Sequence, residues 1–270
     1  MRSLDLLPRT ELAKLEGILT DFDGTLTTDG RLDAETYVAL SELKASGLYV
    51  AVVTGRPAGW GEMVARTFPV DACIVENGGL TFLREPDGKV RREYWVEDEK
   101  ERADERRKLE ALVREVCEEV PGARLSVDSR YTEVDLAIDW NEDVRLFPED
   151  AARIEEACRR RGANAVRSNV HVNVWLGDFD KGRACERLLE RHAHAALPDN
   201  LDRYAFVGDA PNDAPLFSRF PLSIGVADVL RYEEGMETLP AWVTHSEGGL
   251  GFQELAAAIL VAKDLMAIGP

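Results

Sequence analysis

Apolar and polar positions in the first part of the chain alternate between strand-like and helix-like blocks. Residues 48–53 are a continuous apolar, β-branched run, which is typical of a strand buried on both faces. Before it, residues 33–46 place Tyr37, Leu40 and Leu43 on one face of a helix. The same reasoning predicts further elements: a strand at 17–20, a helix at 59–68 and a strand at 72–75. Strands alternating with helices indicate an α/β fold with a parallel sheet.

The pattern changes after about residue 84. A highly charged stretch at 96–120 predicts an exposed helix. Two segments that are apolar at every second residue, 125–127 and 134–140, predict strands of a sheet buried on one side. The same arrangement then repeats, with a helix at 149–161 and strands at 163–167 and 171–176. The middle of the chain is therefore expected to form a small open-faced antiparallel sheet with helices on one side.

The α/β pattern returns at residue 180. It predicts a helix at 181–194, strands at 204–207, 222–224 and 242–244, and a last helix that begins near Gly251. The simplest layout is one α/β domain, residues 1–84 and 178–270, interrupted by an inserted α+β module, residues 85–177.

Composition narrows the functions that this layout could serve. The chain has 270 residues and a formal charge of −17, from 33 Lys and Arg against 50 Asp and Glu. Such a chain repels nucleic acid and anionic membranes unless it carries a local basic patch. No apolar run approaches the ~20 residues of a membrane helix, and the N-terminus lacks a signal-peptide core. The four cysteines are scattered without a Cys-x-x-Cys pair, which argues against zinc and disulfides. We expect a cytoplasmic protein without nucleic-acid or membrane partners.

Two aspartates follow the first predicted strand directly. Asp21 and Asp23 are two residues apart, so both carboxylates can point the same way. Ligands of open α/β sheets bind at the carboxyl ends of the strands. Gly24 and Thr25 add a turn whose backbone N–H groups suit an anion. The alternative is a surface turn that carries aspartates by chance.

A second acidic segment follows the strand at 204–207. Here Asp209, Asn212 and Asp213 lie at another strand end. Four aspartates at one sheet edge would repel each other, and one or more would take up a proton. A bound cation removes that repulsion, and carboxylate oxygens suit Mg²⁺.

Two further segments place hydroxyl and cationic groups at the same edge. Thr54, Gly55 and Arg56 follow the strand at 48–53, and Lys181 opens a helix. A lysine is poorly placed for the dipole at a helix start, which favours anions. A bound anion would reconcile the two.

These four segments, in this order, resemble the haloacid dehalogenase superfamily of phosphotransferases. The inserted module lies where the α/β-capped sugar-phosphate phosphatases carry their cap. Sucrose phosphate, trehalose phosphate and mannosylphosphoglycerate phosphatases are relatives of that kind. The resemblance implies a Rossmann-like core, a cap that sets specificity, and a small phosphorylated substrate. About 17 residues precede the first strand, more than is usual for that family.

The resemblance also implies a role for each matching residue. Asp21 would be the nucleophile that forms an aspartyl phosphate, and Asp23 the general acid and base. Thr54 would donate a hydrogen bond to the phosphoryl group, and Lys181 would neutralise its charge. Mg²⁺ would be held by Asp21, the backbone carbonyl of Asp23 and Asp209, with Asp213 as a further ligand or a neighbour of one and Asn212 nearby.

Weaker signals concern the leaving group. Relatives use an Asn-Gly-Gly loop like the one at Asn77 and Gly78 near the substrate, although a plain turn fits as well. His171, Asn173 and Trp175 share one face of the last strand of the insert and would contact the leaving group if that face covers the site. Otherwise that face is solvated. Three arginines could meet a second anionic group, or could lie on the surface: Arg56, Arg130 and Arg167.

The sequence therefore predicts a Mg²⁺-dependent phosphatase that acts on a small phosphorylated metabolite, a sugar phosphate in the first instance. A phosphomutase would share the core residues. A non-catalytic ligand-binding protein is the remaining alternative, although a binder need not keep both Asp21 and Asp23.

Overall fold

Nine strands form the larger sheet of the protein, in a computed structural model that describes residues 1–168, 170–193 and 197–268. Across the sheet they run in the order β1 (Arg2–Ser3), β15 (Trp242–Val243), β14 (Leu222–Gly225), β13 (Tyr204–Gly208), β2 (Gly17–Thr20), β5 (Tyr49–Val53), β6 (Ala72–Val75), β7 (Leu80–Arg84) and β8 (Val90–Tyr94). The first seven strands of this order, from β1 to β6, pair in parallel with their neighbours. The last two, β7 and β8, pair antiparallel.

Helices cover both faces of this sheet, which explains why its central strands are apolar at every position. One face carries α1 (Arg9–Ala13), α2 (Ala34–Ala45), α3 (Ala58–Thr67) and α8 (Gly248–Ile268), and the other carries α6 (Lys181–His192) and α7 (Ala214–Arg219). In β5, Val50 and Val52 pack into the first layer, and Ala51 and Val53 pack into the second. Because successive side chains of a strand point to opposite faces, both layers need apolar partners.

A second, antiparallel sheet is built from the middle of the chain. Its strands run in the order β11 (Asn164–Arg167), β12 (His171–Trp175), β10 (Leu136–Asp139) and β9 (Arg124–Leu125). Its buried side chains pack in one cluster with those of two helices, α4 (Glu99–Glu119) and α5 (Pro148–Arg160). We call the segment from α4 to β12, residues 99–175, the cap, and the rest of the chain the core. A short hairpin, β3 (Thr27–Thr28) and β4 (Arg31–Leu32), completes the strands.

The two sheets confirm the predicted fold class, a parallel α/β core with an antiparallel inserted module. The division at residues 85–177 stays a prediction. One strand inside that range, β8, pairs with β7 and so extends the larger sheet. Its sequence, VRREY, is apolar or aromatic only at its two ends, so the hydrophobic pattern did not reveal it.

The segment before β2 completes the core. Its strand β1 pairs in parallel with β15 at the edge of the larger sheet. Leu6 is exposed, whereas the other four of its five leucines are buried in the layer formed by α2 and α8: Leu4, Leu7, Leu12 and Leu15. The sequence left this segment without a role, and the structure gives it a packing role.

Some element ends differ from the prediction. Val127 was expected in a strand, but it begins a 3₁₀ helix, Val127–Tyr131. There the Ser129 hydroxyl lies 3.3 Å from both the carbonyl oxygen and the nitrogen of Ala137 in β10, and the Ser126 N–H donates to the same carbonyl at 2.8 Å. Helix α6 ends at His192, and His194 lies outside the described residues.

Among the described helices, none combines the length and the apolar character that crossing a membrane requires.

Candidate active site

The parallel strands of the core bring distant aspartates to one edge of the sheet. Asp21 directly follows β2, and Asp209 directly follows β13, the neighbouring strand. The two strands stay in register to their ends, because the Asp21 N–H donates to the Val207 carbonyl at 2.9 Å. Thr54 follows β5 on the other side of β2. This convergence at the carboxyl ends of the strands follows from the parallel topology.

Three of these carboxylates form a buried cluster. Asp21, Asp209 and Asp213 each offer one oxygen, and these oxygens lie within 4.8 Å of one another. The Asp209 side chain is fixed by Thr25, whose hydroxyl donates to Oδ1 at 3.0 Å. The Asp213 side chain is fixed because its Oδ2 accepts from the Asp209 N–H at 3.1 Å. Three converging carboxylate oxygens are the donor set that a hard divalent cation prefers.

Burial and the closeness of like charges raise the pKa values of two carboxyl groups in the cluster. Burial raises the pKa of Asp21 to about 7, with the Asp213 carboxylate adding to the shift and Lys181 opposing it. Burial and the charges of Asp21 and Asp213 also raise the pKa of Asp209. A cation bound between these side chains would lower both pKa values.

Lys181 is the buried cation of the site. Its Nζ lies 2.7 Å from Asp21 Oδ1 and 3.2 Å from Asp213 Oδ1, and only 6% of its side chain is exposed. Burial alone would favour the neutral amine, but the two carboxylates outweigh it and raise the pKa of Lys181. The side chain therefore stays charged, at the first residue of α6.

A second ion pair lies beside this cluster. The Arg56 guanidinium donates from Nε and Nη2 to the two carboxylate oxygens of Asp23, both at 2.8 Å. The guanidinium also lies 4.7 Å from the ring centroid of Trp60. The Thr54 hydroxyl accepts from the Arg56 N–H at 3.0 Å, which fixes the turn that carries both side chains. Such a two-point contact holds Asp23 in one orientation.

A cavity of about 430 Å³ separates the core from the cap and contains this edge of the sheet. Most of the predicted site residues line it: Asp21, Asp23, Thr54, Gly55, Arg56, His171, Asn173, Asp209 and Asn212. Lys181 and Asp213 do not line the cavity themselves, but Lys181 contacts Asp21 and Asp213 accepts from the Asp209 N–H. The cap closely approaches the core at Gly55, where an added Cβ would lie 2.9 Å from Asn173 Nδ2.

The structure contradicts the prediction for Trp175. Its side chain is 5% exposed, and its indole N–H donates to the Phe179 carbonyl at 2.9 Å. Its ring stacks on Phe179, with centroids 5.9 Å apart, and it does not line the cavity. Residues 171, 173 and 175 share one face of β12, but only the first two reach the cavity, because Phe179 covers the third.

Three other predicted residues act beside the cavity. Asn77 donates from Nδ2 to Asp135 Oδ2 at 2.9 Å, so it reaches the cavity only through that carboxyl group. Gly78 packs against the backbone of Asp180, 2.6 Å from where its Cβ would lie. The Gly24 N–H already donates to the Thr27 hydroxyl at 3.1 Å, and the anion-binding turn at Gly24 and Thr25 stays a prediction.

Sequence reasoning missed several cap residues that line the cavity. The most buried of them is Asp135, which is 2% exposed, and Asp128 lies on the same wall. Arg167 was considered and lines the cavity, whereas Arg130 does not. A charged residue inside an otherwise apolar alternation, between Val134 and Leu136, was the available signal for Asp135.

Comparisons with known proteins agree with this architecture. A family model for haloacid dehalogenase-like hydrolases matches residues 18–105. A phosphoglycolate phosphatase of Sulfurisphaera tokodaii is 25% identical over 246 residues, 90% of this chain and 93% of that protein. The chain is therefore similar to haloacid dehalogenase-like hydrolases and to a phosphatase.

Solved structures share the fold of this protein across both core and cap. A protein from Thermoplasma acidophilum superposes with a TM-score of 0.71 at 17% identity, covering 91% of this chain and 98% of that one. The sucrose-phosphatase of Synechocystis, solved with sucrose and phosphate, gives a TM-score of 0.66 at 15% identity, with the same coverage. At these identities the likeness concerns the fold.

Proposed function

We propose that this protein is a phosphatase that hydrolyses a small phosphorylated metabolite, a sugar phosphate, in a Mg²⁺-dependent reaction that passes through an aspartyl phosphate on Asp21. The observation that carries the proposal is the contact of Asp21 with Lys181 next to two further buried aspartates, Asp209 and Asp213. A nucleophilic carboxylate, a fixed cation and a cation-binding set are what phosphoryl transfer needs, since its catalysis is mostly positioning and charge stabilisation.

The chemistry has two steps. An oxygen of the Asp21 carboxylate attacks phosphorus, and the bond from phosphorus to the leaving oxygen breaks. The carboxyl group of Asp23 gives its proton to that oxygen, so an alcohol leaves. Asp23 then takes a proton from water, and the resulting hydroxide attacks phosphorus and releases phosphate from Asp21.

Arg56 has a defined place in this scheme. Its guanidinium covers both oxygens of Asp23, so one of the two hydrogen bonds has to break before Asp23 can reach a leaving group. Because Arg56 also lines the cavity, it can then bind a phosphoryl oxygen instead.

The residues fit a magnesium ion. Asp21, Asp209 and Asp213 would hold it, with the backbone carbonyl of Asp23 as a further ligand. When bound, the ion would neutralise the carboxylates and the phosphoryl oxygens. Lys181 supplies a further positive charge, in contact with both Asp21 and Asp213.

A sugar phosphate is supported by the lining of the cavity. The cap wall offers mainly uncharged or mixed hydrogen-bonding groups, among them Thr132, Ser168, His171 and Asn173. A volume of about 430 Å³ lies within the ~300–1,000 Å³ of small-molecule sites. The name of the Sulfurisphaera relative favours a second candidate substrate, phosphoglycolate. A cytoplasmic location stays a prediction from the sequence.

The test is release of inorganic phosphate from p-nitrophenyl phosphate and from a panel of sugar phosphates and phosphoglycolate. We expect turnover with Mg²⁺, loss with EDTA and recovery when Mg²⁺ is restored. Asp21→Asn should reduce turnover by at least about 10³-fold while the circular dichroism spectrum is kept. Normal turnover by this variant would refute the nucleophile. Formation of a bisphosphate without free phosphate would indicate a phosphomutase.

A further inference from the structure

A loop of the core holds one segment of the cap through a buried carboxylate. Glu76 is fully buried, and its carboxylate accepts from the backbone N–H groups of Glu133, Val134 and Asp135 at 2.6–3.1 Å. It also accepts from the Ala58 N–H at 2.8 Å. These four donors belong to two different parts of the chain, so the contact fixes the cap to the core at this point.

The backbone of that loop is conformationally costly. Glu76 and Asn77 have φ angles of 51° and 57°, in the left-handed region that side-chain-bearing residues rarely occupy. Such a residue persists only where its surroundings fix its conformation. Here the four hydrogen bonds to Glu76 fix it.

The strained loop and the segment it holds together place one side chain, Asp135. Its backbone N–H is bound by Glu76, and its carboxyl Oδ2 accepts from Asn77 Nδ2 at 2.9 Å. Arg106 donates to the backbone carbonyl of the same residue. The backbone N–H, the backbone carbonyl and the carboxyl Oδ2 of Asp135 are thus all held by hydrogen bonds. The residue is 2% exposed and lies on the wall of the cavity.

Asp135 has an oxygen left for a ligand. Within residues 1–168, 170–193 and 197–268, no side chain or backbone group hydrogen-bonds Oδ1, and no arginine or lysine forms an ion pair with this carboxyl group. Because Asp135 lines the cavity, a ligand bound there can form a hydrogen bond with this oxygen.

We propose that Asp135 is a specificity-determining residue that binds a hydroxyl group of the leaving group, and that Glu76 and Asn77 position it. This rests on the proposed function and deepens it, because it states which chemistry the cap recognises. The leaving group is then a polyol rather than a carboxylic acid.

A hydroxyl group fits this environment better than a carboxylate does. Burial and the neighbouring Glu76 raise the pKa of Asp135, which favours its protonated form. A hydroxyl both donates and accepts, and so it pairs with either form. A carboxylate only accepts hydrogen bonds, so it cannot pair with the ionised form, and the cap wall that it would meet carries Asp128 as well as Arg167.

The experiment measures a ratio rather than a single rate. For each variant, kcat/KM is determined for the best sugar phosphate of the panel and for p-nitrophenyl phosphate, whose leaving group carries no aliphatic hydroxyl. Asp135→Ala should lower the ratio of the two about 10- to 100-fold, the effect of one hydrogen bond to a group that can be charged. The ratio of kcat/KM for phosphoglycolate to that for p-nitrophenyl phosphate should not fall in this variant. Asp143→Ala, which removes an exposed cap carboxylate outside the cavity, should keep the wild-type ratio.

Two further variants separate binding from structure. Asp135→Asn keeps a donor and an acceptor, so its ratio should lie between those of the wild type and of Asp135→Ala, and it serves if the alanine variant does not fold. Glu76→Gln places an amide against backbone N–H groups and should raise KM for the sugar phosphate. Because Glu76 acts through Asp135, the double variant should have a ratio no lower than that of Asp135→Ala.

The outcomes separate this inference from the proposed function. An unchanged ratio in Asp135→Ala, or an equal loss on both substrates, overturns the inference and leaves the phosphatase proposal intact. A fall confined to phosphoglycolate overturns it as well, in favour of an acidic leaving group. Absence of turnover of every phosphate ester by the wild type overturns both.

Discussion

Lys181 Nζ lies 2.7 Å from Asp21 Oδ1, and the two side chains are 6% and 7% exposed. The same ammonium group contacts Asp213 at 3.2 Å. A single buried lysine thus balances two of three clustered carboxylates, and the third, Asp209, accepts a hydrogen bond from the Thr25 hydroxyl. The contact between Lys181 and Asp21 therefore has two consequences: it holds the proposed nucleophile in place, and it balances buried charge in the folded protein.

Replacing this lysine should destabilise the protein most when no metal is present. In Lys181→Gln the carboxylates lose their buried cation, and breaking such a pair costs about 3–5 kcal/mol in the free energy of unfolding. Bound Mg²⁺ would replace part of the lost charge, so the deficit should shrink when Mg²⁺ replaces EDTA. Urea denaturation in both buffers measures this.

The matched control for Lys181 is Lys100→Gln, an exposed lysine of α4 with 89% of its side chain in solvent. It should change the stability by less than about 0.5 kcal/mol in either buffer. An equal deficit of Lys181→Gln in EDTA and in Mg²⁺ would argue against a cation site at Asp21.

The core of this site was predictable from the sequence for a physical reason. Parallel strands end at one edge of the sheet, so polar residues that follow apolar runs must meet there. That rule alone placed Asp21, Thr54 and Asp209 together, and the start of α6 added Lys181. A long apolar run must be buried on both faces, so the position of these strands in the sheet could be predicted without knowing their individual side-chain contacts.

The cap contacts could not be predicted in the same way. Alternation in β12 shows which side chains share a face, but it does not show what covers that face. His171 therefore reaches the cavity, while Trp175 is covered by Phe179. Likewise, the role of Glu76 depends on how the cap docks on the core, since its partners at 133–135 are more than fifty residues away.

Trp175 should matter for stability rather than for substrate choice. Trp175→Ala removes a buried ring that stacks on Phe179 and an indole hydrogen bond of 2.9 Å, and should cost about 3–5 kcal/mol. Trp175→Phe keeps most of the stacking and should cost less. Denaturant titration gives both values. If Trp175→Phe, still folded, changed the relative rates on different sugar phosphates, the ring would have to contact substrate after all.

The pH dependence of stability should carry the signature of Asp135. Burial raises the pKa of its carboxyl group in the folded protein above the unfolded value. The folded state therefore binds the proton more tightly, so this residue favours folding at low pH and loses that contribution as the pH rises through the folded pKa. Asp135→Asn does not titrate. The stability of the wild type minus that of this variant should increase as the pH is lowered from about 8 to about 5.

That comparison needs a variant with the same chemical change at an exposed position. Asp143→Asn lies on the surface of the cap, and the corresponding difference should stay nearly flat over the same range. A difference for Asp135→Asn that decreases toward low pH would mean that the folded protein stabilises the ionised form, and the sign of the inferred shift would be reversed.

Gly24 is required by two independent features, its backbone conformation and its contact with Asp209. Its φ angle is 80°, and a Cβ added there would lie 2.5 Å from Asp209 Oδ2. Gly24→Ala should therefore displace the Asp209 carboxylate as well as strain the turn. We expect turnover to fall by at least about 10²-fold, together with weaker activation by Mg²⁺, since misplacing one group by about 1 Å can cost that much.

The control is Gly30→Ala, where φ is 73° but nothing lies within 4 Å of the added Cβ. It shares the backbone cost of roughly 1 kcal/mol without the contact, so its activity should remain close to that of the wild type. If both variants lost activity equally, the turn conformation rather than the approach to Asp209 would be the feature that the site needs.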